Sequence, residues 1–290
     1  MKILLIGSNG QLGTTLKDKL NKYLLLCPRK NALNLEDSNS ISNFLAKNKP
    51  DLIINSGAYT KVDLAETNRL KAEKINSLAL LEIAKYVEDN NKFVIHFSTD
   101  YVFNGLKKSS YKEQDRPNPI NYYGMTKYLG EKNLFSSTNN FLILRISWVY
   151  GHEGDNFPKK IIDLYNERNT LKVINDQYGV PSSTEFISSI VLQIIENINA
   201  GKNFNGIYNL CPDGSCTWYG FASELISLMK KEGLLSTTDK NIIPTSSSKF
   251  ITDAKRPKNS VLNNDKIKKE LGVQFPDWRV CLAEYVNEYK

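Results

Sequence analysis

Short, continuous apolar runs alternate with longer segments of helical periodicity through the first half of the chain. The apolar runs predict strands at 2–6, 23–27, 51–55, 92–97 and 141–147. The segments between them predict helices at 14–21, 38–47, 68–90 and 120–136. Strands that are apolar at every position are buried on both faces, and β-α alternation is typical of a parallel sheet with helices on each side. We therefore predict an α/β fold with a doubly wound, Rossmann-like parallel sheet.

The second half of the chain has a different pattern. From Gly151 onward the alternation weakens, and clusters of proline, glycine and polar residues appear at 176–181 and 245–260. We predict that residues 1–150 form the sheet domain and that 151–290 form a smaller C-terminal lobe that closes over a substrate. Part of 184–210 is expected to return to the first domain.

Three glycines, Gly7, Gly10 and Gly13, lie between the first predicted strand and the first predicted helix. Free backbone N–H groups and the positive end of the helix dipole make such a turn a binding site for a pyrophosphate. Three glycines can also simply form a tight turn. Together with Tyr123 and Lys127, this turn indicates a dinucleotide-binding domain.

Tyr123 and Lys127 stand four residues apart in the predicted helix at 120–136. Residues at this spacing share one helix face, so a phenol lies beside an ammonium group. A neighbouring cation favours the charged form of a phenol and lowers its pKa, which suits a proton donor in carbonyl reduction. The same spacing also occurs on solvated helix faces, so the pair by itself is a weak signal.

Polar residues follow two other predicted strands, at Asn55–Thr60 and at Ser98–Tyr101. In sheets of this type ligands bind at the carboxyl ends of the strands, near the point where the strand order reverses. We therefore expect both segments to border the same site. His96 lies inside an apolar strand, and we interpret it as a hydrogen-bonded core imidazole.

Composition narrows the class of protein. The 290 residues are 41% hydrophobic with a net charge of +7, and the basic residues are scattered, so no nucleic-acid partner is expected. The apolar run at 3–6 is too short for a signal peptide or a membrane span, which predicts a cytoplasmic protein with no membrane partner. Four cysteines without a Cys-x-x-Cys spacing and two isolated histidines predict no metal site.

Several motifs together resemble a known family. They are the glycine turn at 7–13, Ser-Thr-Asp-Tyr-Val-Phe at 98–103, Tyr-Gly-Met-Thr-Lys at 123–127 and Asn-Asp-Gln-Tyr-Gly-Val-Pro at 175–181. The chain resembles the extended short-chain dehydrogenase/reductase superfamily and, within it, the dTDP-4-dehydrorhamnose reductase family. The resemblance covers nearly the whole chain. It implies reduction of the 4-keto group of dTDP-4-dehydro-6-deoxy-L-mannose by NADPH or NADH, giving dTDP-L-rhamnose.

The resemblance also implies roles for individual residues. The catalytic set would be Tyr123, Lys127 and Thr99. Cofactor contacts would come from Gly7, Gly10, Gln11, Leu12, Gly13, Asn55, Ser56, Gly57, Ala58 and Tyr59, together with Tyr123 and Lys127. Substrate contacts would come from Thr60, Val62, Asp100, Tyr101, Trp148 and Arg256.

Three of these assignments have a structural alternative. Thr99 is expected to bind the carbonyl oxygen, but it can also cap a turn. Trp148 can stack on a substrate ring or fill the space between the two lobes. Arg256 can bind the substrate diphosphate or pin its own loop to an acidic neighbour.

The end of the second predicted strand bears on the choice of cofactor. It lacks the acidic residue that would bind an NAD ribose, and Arg29 stands where it can meet a 2′-phosphate. We therefore expect NADPH, with NADH as a possible second donor.

Other functions share these motifs. A sister reductase of another dTDP-6-deoxysugar, an epimerase and a non-catalytic NADP-binding regulatory subunit are the alternatives. A homodimer is compatible with the resemblance. A magnesium-bridged dimer is not expected, because Thr14 and Thr15 occupy the first helix where related proteins carry a glutamate, although Glu185 is present.

Overall fold

The computed structural model describes residues 1–236 and 240–289. The strands are β1 (Lys2–Ile6), β2 (Leu24–Leu26), β3 (Leu52–Asn55), β4 (Phe93–Thr99), β5 (Phe141–Ile146), β6 (Val149–Tyr150), β7 (Thr170–Ile174), β8 (Tyr178–Gly179), β9 (Ser182–Ser183), β10 (Gly206–Asn209), β11 (Cys216–Thr217) and β12 (Asn241–Thr245). The helices are α1 (Gln11–Lys19), α2 (Ser38–Asn48), α3 (Val62–Ala65), α4 (Arg69–Glu73), α5 (Ala79–Asp89), α6 (Tyr122–Ser137), α7 (Phe157–Glu167), α8 (Thr184–Asn199), α9 (Trp218–Lys231), α10 (Asp265–Leu271) and α11 (Trp278–Asn287). A π-helical segment (Lys74–Leu78) joins α4 to α5, and 3-10 turns lie at Asp100–Val102 and Ser247–Lys249.

Six parallel strands form the central sheet in the order β10-β5-β4-β3-β1-β2. Alternate side chains of β1 enter different clusters: Ile3 and Leu5 pack with α1 and α8, whereas Leu4 and Ile6 pack with α2 and α5. Both faces of the sheet are therefore covered by helices. The prediction of a doubly wound parallel sheet is confirmed.

The strand order places the two polar segments side by side. The chain runs from β1 outward to β2 and then returns to the other side of β1 to form β3, so the order reverses between β1 and β3. Gly7 and Ser56, which follow these two strands, meet at the same edge, and Ser56 N–H donates to Ile6 O at 3.0 Å. This edge is where a ligand site is expected in such a sheet.

A second core lies outside the sheet. It is built from α7, α9 and α11 with β7, around the fully buried Phe221. Helix α8 and strand β10 belong to the sheet, because α8 covers one face of the sheet and β10 pairs with β5. On these contacts we propose that the chain divides near residue 150, with 184–210 assigned to the sheet domain.

The long helix predicted at 68–90 is interrupted by the π-helical segment. There the Asn76 amide donates to Thr126 Oγ1 of α6 at 3.0 Å. A Cβ atom on Gly130 of α6 would lie only 2.2 Å from Asn76 O, so the two elements approach at backbone distance. π-Bulges of this kind concentrate near functional sites, and here the bulge sets the position of α6.

Helix α1 begins at Gln11, three residues before the predicted start, because the glycine turn runs directly into it. Within residues 1–236 and 240–289, no helix combines the length and apolar character needed to cross a membrane. The same residues contain no cluster of three or more potential metal ligands among His, Cys, Asp and Glu.

Candidate active site

A cleft of about 770 Å³ opens at the carboxyl edge of the sheet, between the sheet domain and the second lobe. Most of the residues singled out in the sequence lie on its walls. They are Gly7, Gly10, Gln11, Leu12, Gly13, Ser56, Gly57, Ala58, Thr60, Val62, Thr99, Asp100, Tyr101, Tyr123, Lys127 and Trp148. Four others, Arg29, Asn55, Tyr59 and Arg256, do not line it in the part of the chain that the structure describes.

The glycine turn requires glycine for two separate reasons. Gly7 has φ +79°, a left-handed conformation that side chains disfavour. A Cβ atom on Gly13 would lie 2.0 Å from Gly7 O, so the turn and α1 pack backbone to backbone. No side chain caps α1 at Gly10, which leaves the first amides of the helix directed at the cleft. This cradle fits a dinucleotide pyrophosphate.

Helix α6 is locked against the end of β4. The Asn121 side chain caps the helix by accepting from Gly124 N–H at 2.7 Å, and it donates to Lys255 O at 2.8 Å. A Cβ atom on Gly124 would lie 2.2 Å from Tyr101 O. Because this approach is so close, Tyr123 comes to lie edge-on to Tyr101, with ring centroids 6.0 Å apart.

The electrostatics of the Tyr123 and Lys127 pair differ from the expectation. Burial raises the pKa of Tyr123 to about 12, and hydrogen bonding with the Thr99 hydroxyl opposes this rise only in part. Burial also lowers the pKa of Lys127 to about 7, against the attraction of the Glu131 carboxylate. Since desolvation acts on both groups, the protein's own charges do not acidify the Tyr123 phenol, contrary to the prediction from helix spacing.

Lys127 is buried, and its ammonium or amine group has two partners. Nζ lies 2.6 Å from Phe97 O, to which it donates, and 3.2 Å from His96 Nε2. His96 is also buried, and its Nδ1 lies 3.3 Å from the Asn55 amide nitrogen. His96 is therefore hydrogen-bonded within the core, but its partner is one of the candidate catalytic residues.

Thr99 occupies the turn at the end of β4. Its hydroxyl oxygen accepts from Tyr101 N–H at 3.2 Å, and the hydroxyl donates to Asp100 Oδ1 at 3.0 Å. Thr99 therefore caps this turn, which was the alternative role predicted for it. Burial raises the pKa of Asp100 to about 7, while the hydrogen bond from the Thr99 hydroxyl acts to lower it.

A buried ion pair supports this wall from behind. Arg145 of β5 and Glu131 of α6 are each only 2% exposed and form a fork, with Nε and Nη2 at 2.9 and 2.6 Å from the two carboxylate oxygens. The Ser98 hydroxyl donates to the same carboxylate at 2.5 Å. The pair joins β4, β5 and α6 in one network.

Trp148 forms the opposite wall with a residue that the sequence did not single out. Its ring stacks on Trp218 of α9 with centroids 3.5 Å apart and planes 6° from parallel. Trp148 has φ +45°, and a Cβ atom on Gly179 would lie 2.3 Å from its ring. No sequence motif marks Trp218, because the contact joins residues 70 positions apart and appears only once the second lobe folds.

Arg256 forms a fork with Asp63, with Nη1 and Nη2 at 3.0 and 2.6 Å from the two oxygens. Of the two roles predicted for Arg256, this is the contact with an acidic neighbour. A contact with a substrate diphosphate stays a prediction. Arg29 is exposed and lies off the cleft wall, whereas its neighbour Lys30 lines the cleft and pairs with Glu36 at 2.6 Å. Lys30 could have been predicted from the sequence, because it is the basic residue directly after Arg29.

Glu185 bears on the predicted absence of a metal bridge. In the structure its carboxylate forms an ion pair with Lys19 of α1. The Thr15 hydroxyl on the same helix donates to Thr184 Oγ1 at 3.0 Å. Both side chains thus contribute to the contact between α1 and α8.

Known proteins match this chain over its full length. The family described as RmlD substrate binding domain matches residues 1–290. The dTDP-4-dehydrorhamnose reductase of Salmonella typhimurium is 35% identical, with 99% of this chain and 98% of the relative covered. The solved structure of a dTDP-4-dehydrorhamnose reductase from Clostridium acetobutylicum has a TM-score of 0.92 at 33% identity, covering 100% of this chain and 99% of that one.

A second solved structure, the dTDP-4-dehydrorhamnose reductase of Bacillus anthracis in complex with NADP, has a TM-score of 0.89 at 31% identity. It covers 99% of both chains. The chain therefore belongs to the RmlD substrate-binding-domain family, which confirms the resemblance found in the sequence.

Proposed function

We propose that this protein is an NAD(P)H-dependent oxidoreductase that reduces the 4-keto group of dTDP-4-dehydro-6-deoxy-L-mannose to give dTDP-L-rhamnose. The observation that carries the proposal is one cleft that holds Tyr123, Lys127 and Thr99 beside a glycine turn built for a pyrophosphate. The family relationship gives the substrate class. A cytoplasmic location and a homodimer stay predictions from the sequence.

The residues of the cleft fit a dinucleotide. The glycine turn would hold its pyrophosphate, and Ser56, Gly57 and Ala58 border the space beyond it. We propose NADPH as the preferred donor, because Lys30 lines the cleft after β2, where an NAD-specific site carries an acid. Bound NADPH, or NADH in its place, supplies a hydride to C4 of the sugar.

Tyr123 would donate the proton that the ketone oxygen takes up. A phenol whose pKa is about 12 keeps its proton at neutral pH, so the donor is loaded before the substrate arrives. The proton becomes easier to give as negative charge develops on the oxygen beside it. Lys127, four residues along the same face, would stabilise the phenolate that remains.

Thr99 would orient the same oxygen, and Asp100 controls whether it can. While Asp100 is ionised, the Thr99 hydroxyl hydrogen is donated to its carboxylate at 3.0 Å. A protonated Asp100 can instead donate to Thr99 Oγ1, which frees the hydroxyl hydrogen of Thr99 for the ketone oxygen. Because the pKa of Asp100 is about 7, both states are populated near neutral pH.

The substrate would bind mainly against the second-lobe side of the cleft. Trp148 and Trp218 offer flat apolar faces for the thymine or sugar ring, and Thr60, Val62 and Tyr101 border the space between them and Tyr123. These contacts select the nucleotide sugar, whereas the catalytic residues act only on its carbonyl group.

The test is NADPH oxidation, followed by absorbance, when the 4-keto sugar nucleotide is generated in situ. We expect turnover and a product that NMR identifies as dTDP-L-rhamnose. A different 6-deoxysugar would indicate a sister reductase, and an inverted keto sugar without NADPH oxidation would indicate an epimerase. Dinucleotide binding with no reaction would indicate a regulatory subunit and would refute the proposed activity.

A further inference from the structure

A chain of buried polar groups runs from the turn after β3 to Lys127. Gly57 N–H donates to Asn55 Oδ1 at 3.1 Å. The amide nitrogen of Asn55 lies 3.3 Å from His96 Nδ1, and His96 Nε2 lies 3.2 Å from Lys127 Nζ. Asn55, His96 and Lys127 are at most 2% exposed, so water does not replace these contacts.

The side-chain donors and acceptors of this chain match one another in one arrangement, whereas the alternative has the His96 ring donate to the Asn55 backbone carbonyl. In the first arrangement Asn55 Oδ1 accepts from Gly57, so the Asn55 amide presents N–H to His96 Nδ1, which accepts it. A neutral imidazole that accepts at Nδ1 carries its proton on Nε2. This proton is directed at Lys127 Nζ, which can accept it only through the lone pair of a neutral amine.

We propose that His96 is a positioning residue that holds Lys127 as a neutral amine, with its nitrogen fixed between His96 Nε2–H and Phe97 O. The inference rests on the proposed function for its catalytic meaning, but the hydrogen-bond arrangement is independent of it. Lys127 becomes an ammonium by taking a proton from water, and His96 then has to move its own proton to Nδ1.

The charges around the pair agree with this arrangement. Burial is the main reason that the pKa of His96 lies well below its usual value, so the ring stays neutral beside an uncharged Lys127. On the same helix Glu131 attracts a proton to Lys127, but Arg145 of β5 binds its carboxylate in a fork. Tyr123 is the remaining titratable group of α6 on the cleft wall, and its pKa lies far above neutrality.

This arrangement links the turn after β3, which contains Gly57, to the charge of Lys127. Gly57 lines the cleft, and its N–H fixes the orientation of the Asn55 amide. A shift of this turn would release Asn55, allow His96 to take the other tautomer and let Lys127 donate to it as an ammonium. Lys127 would thus become protonated when the turn after β3 shifts and releases Asn55.

Histidine-selective 15N NMR tests the arrangement directly, because the chain contains only two histidines, His96 and His152. In the protein without dinucleotide at about pH 8.5, we expect His96 to show a proton on Nε2 and an accepting Nδ1. A proton on Nδ1, donated to the nearby Asn55 backbone, or a ring protonated on both nitrogens would overturn the proposal. This result does not depend on whether the protein turns over any substrate.

The His96→Gln variant gives a second readout. A glutamine oxygen can accept from an ammonium, so the requirement for a neutral amine disappears. We expect the Lys127-dependent limb in the pH profile of kcat/KM to move up by about one pH unit or more. An unchanged limb with an altered rate would assign His96 a purely structural role.

The matched control is His152→Gln. His152 stacks on Tyr285 with centroids 4.4 Å apart and pairs with Glu288 at 3.2 Å, away from the cleft walls. We expect its pH profile to match that of the unsubstituted protein. If both glutamine variants moved the limb equally, the effect would not be specific to the chain from Asn55 to Lys127.

Discussion

The two walls of the cleft are built by different means. On the sheet side, Lys127 and Asp100 are at most 3% exposed and are held by hydrogen bonds to buried neighbours. On the lobe side, Trp148 and Trp218 are partly exposed and meet through ring stacking alone. Directional bonds in a buried site fix atoms to fractions of an ångström, whereas stacked rings tolerate sliding.

This difference indicates a division of labour. A proton transfer requires a fixed distance between donor and oxygen, so the catalytic groups lie on the rigid sheet side. Binding of a nucleotide sugar requires the two lobes to adjust around it, so the flat aromatic faces lie on the lobe side. Substitutions of the catalytic groups on the sheet side should therefore affect kcat, and those of the aromatic rings on the lobe side should affect KM for the sugar nucleotide.

Tyr123→Phe tests the sheet side most severely. Loss of the phenolic proton should lower kcat by about 10²–10⁴-fold, with little change in NADPH affinity. Steady-state kinetics and a dinucleotide titration measure the two quantities. Tyr122→Phe is the matched control, because its hydroxyl bonds Glu73 at 3.3 Å and its side chain lies off the cleft wall.

We expect the Tyr122→Phe protein to keep its activity. If Tyr123→Phe also kept activity within about tenfold, a loss of only ~1.4 kcal/mol in barrier height, the phenol would not be the proton donor.

Asp100→Asn tests the cost of burying the carboxyl group. The folded-state pKa of about 7 lies above the usual value, so Asp100 contributes stability that is fully present below about pH 4 and is lost as the pH rises to 7. Between about pH 4 and pH 7, the free energy of unfolding of the unsubstituted protein should therefore fall by about 4 kcal/mol relative to that of the variant. Urea unfolding at several pH values measures the difference.

Asp176 in the second lobe provides the opposite case. Although partial burial acts to raise its pKa, hydrogen bonds from Lys258, Ser246 and Ser247 bring it to about 2. This contribution to stability is present above about pH 4 and is lost as the pH falls towards 2. Asp176→Asn should therefore destabilise the protein at neutral pH but not in acid. Equal pH trends for the two variants would contradict the assigned environments.

Gly13→Ala tests the dinucleotide cradle. The new methyl group would meet Gly7 O at 2.0 Å, so the turn must move, and we expect NADPH binding to weaken by about 1–3 kcal/mol. Isothermal titration measures the loss. In Gly220→Ala on α9 the methyl group would find only ordinary contacts at 3.4 and 3.5 Å, so NADPH affinity should not change.

Trp218→Ala tests the lobe side and should have the smallest effect. Loss of a stacked ring should raise KM for the sugar nucleotide by an amount equal to about 0.5–1.5 kcal/mol, with kcat and NADPH affinity preserved. A fall in kcat as large as that of Tyr123→Phe would mean that the two walls do not have separate roles. Trp218→Phe, which keeps a flat ring, should recover most of the affinity.

The sequence alone predicted the parallel sheet, the glycine turn and the shared helix face of Tyr123 and Lys127. Each of these depends on a short-range rule: continuous apolar strands, a turn between strand and helix, and a spacing of four residues. Such rules act over one or two turns of chain, so they can be read in order along the sequence. The strand order then brought the predicted segments to one edge.

The pKa values of the catalytic groups and the long-range side-chain contacts became apparent only in the folded structure. Burial raised the pKa of Tyr123 and lowered that of Lys127, an effect that depends on everything packed around them and not on their spacing. The Arg256 fork reaches Asp63 across 193 positions, and the rings of Trp148 and Trp218 stack across 70 positions. Contacts at such separations leave no local periodicity, because they arise from how the finished elements pack.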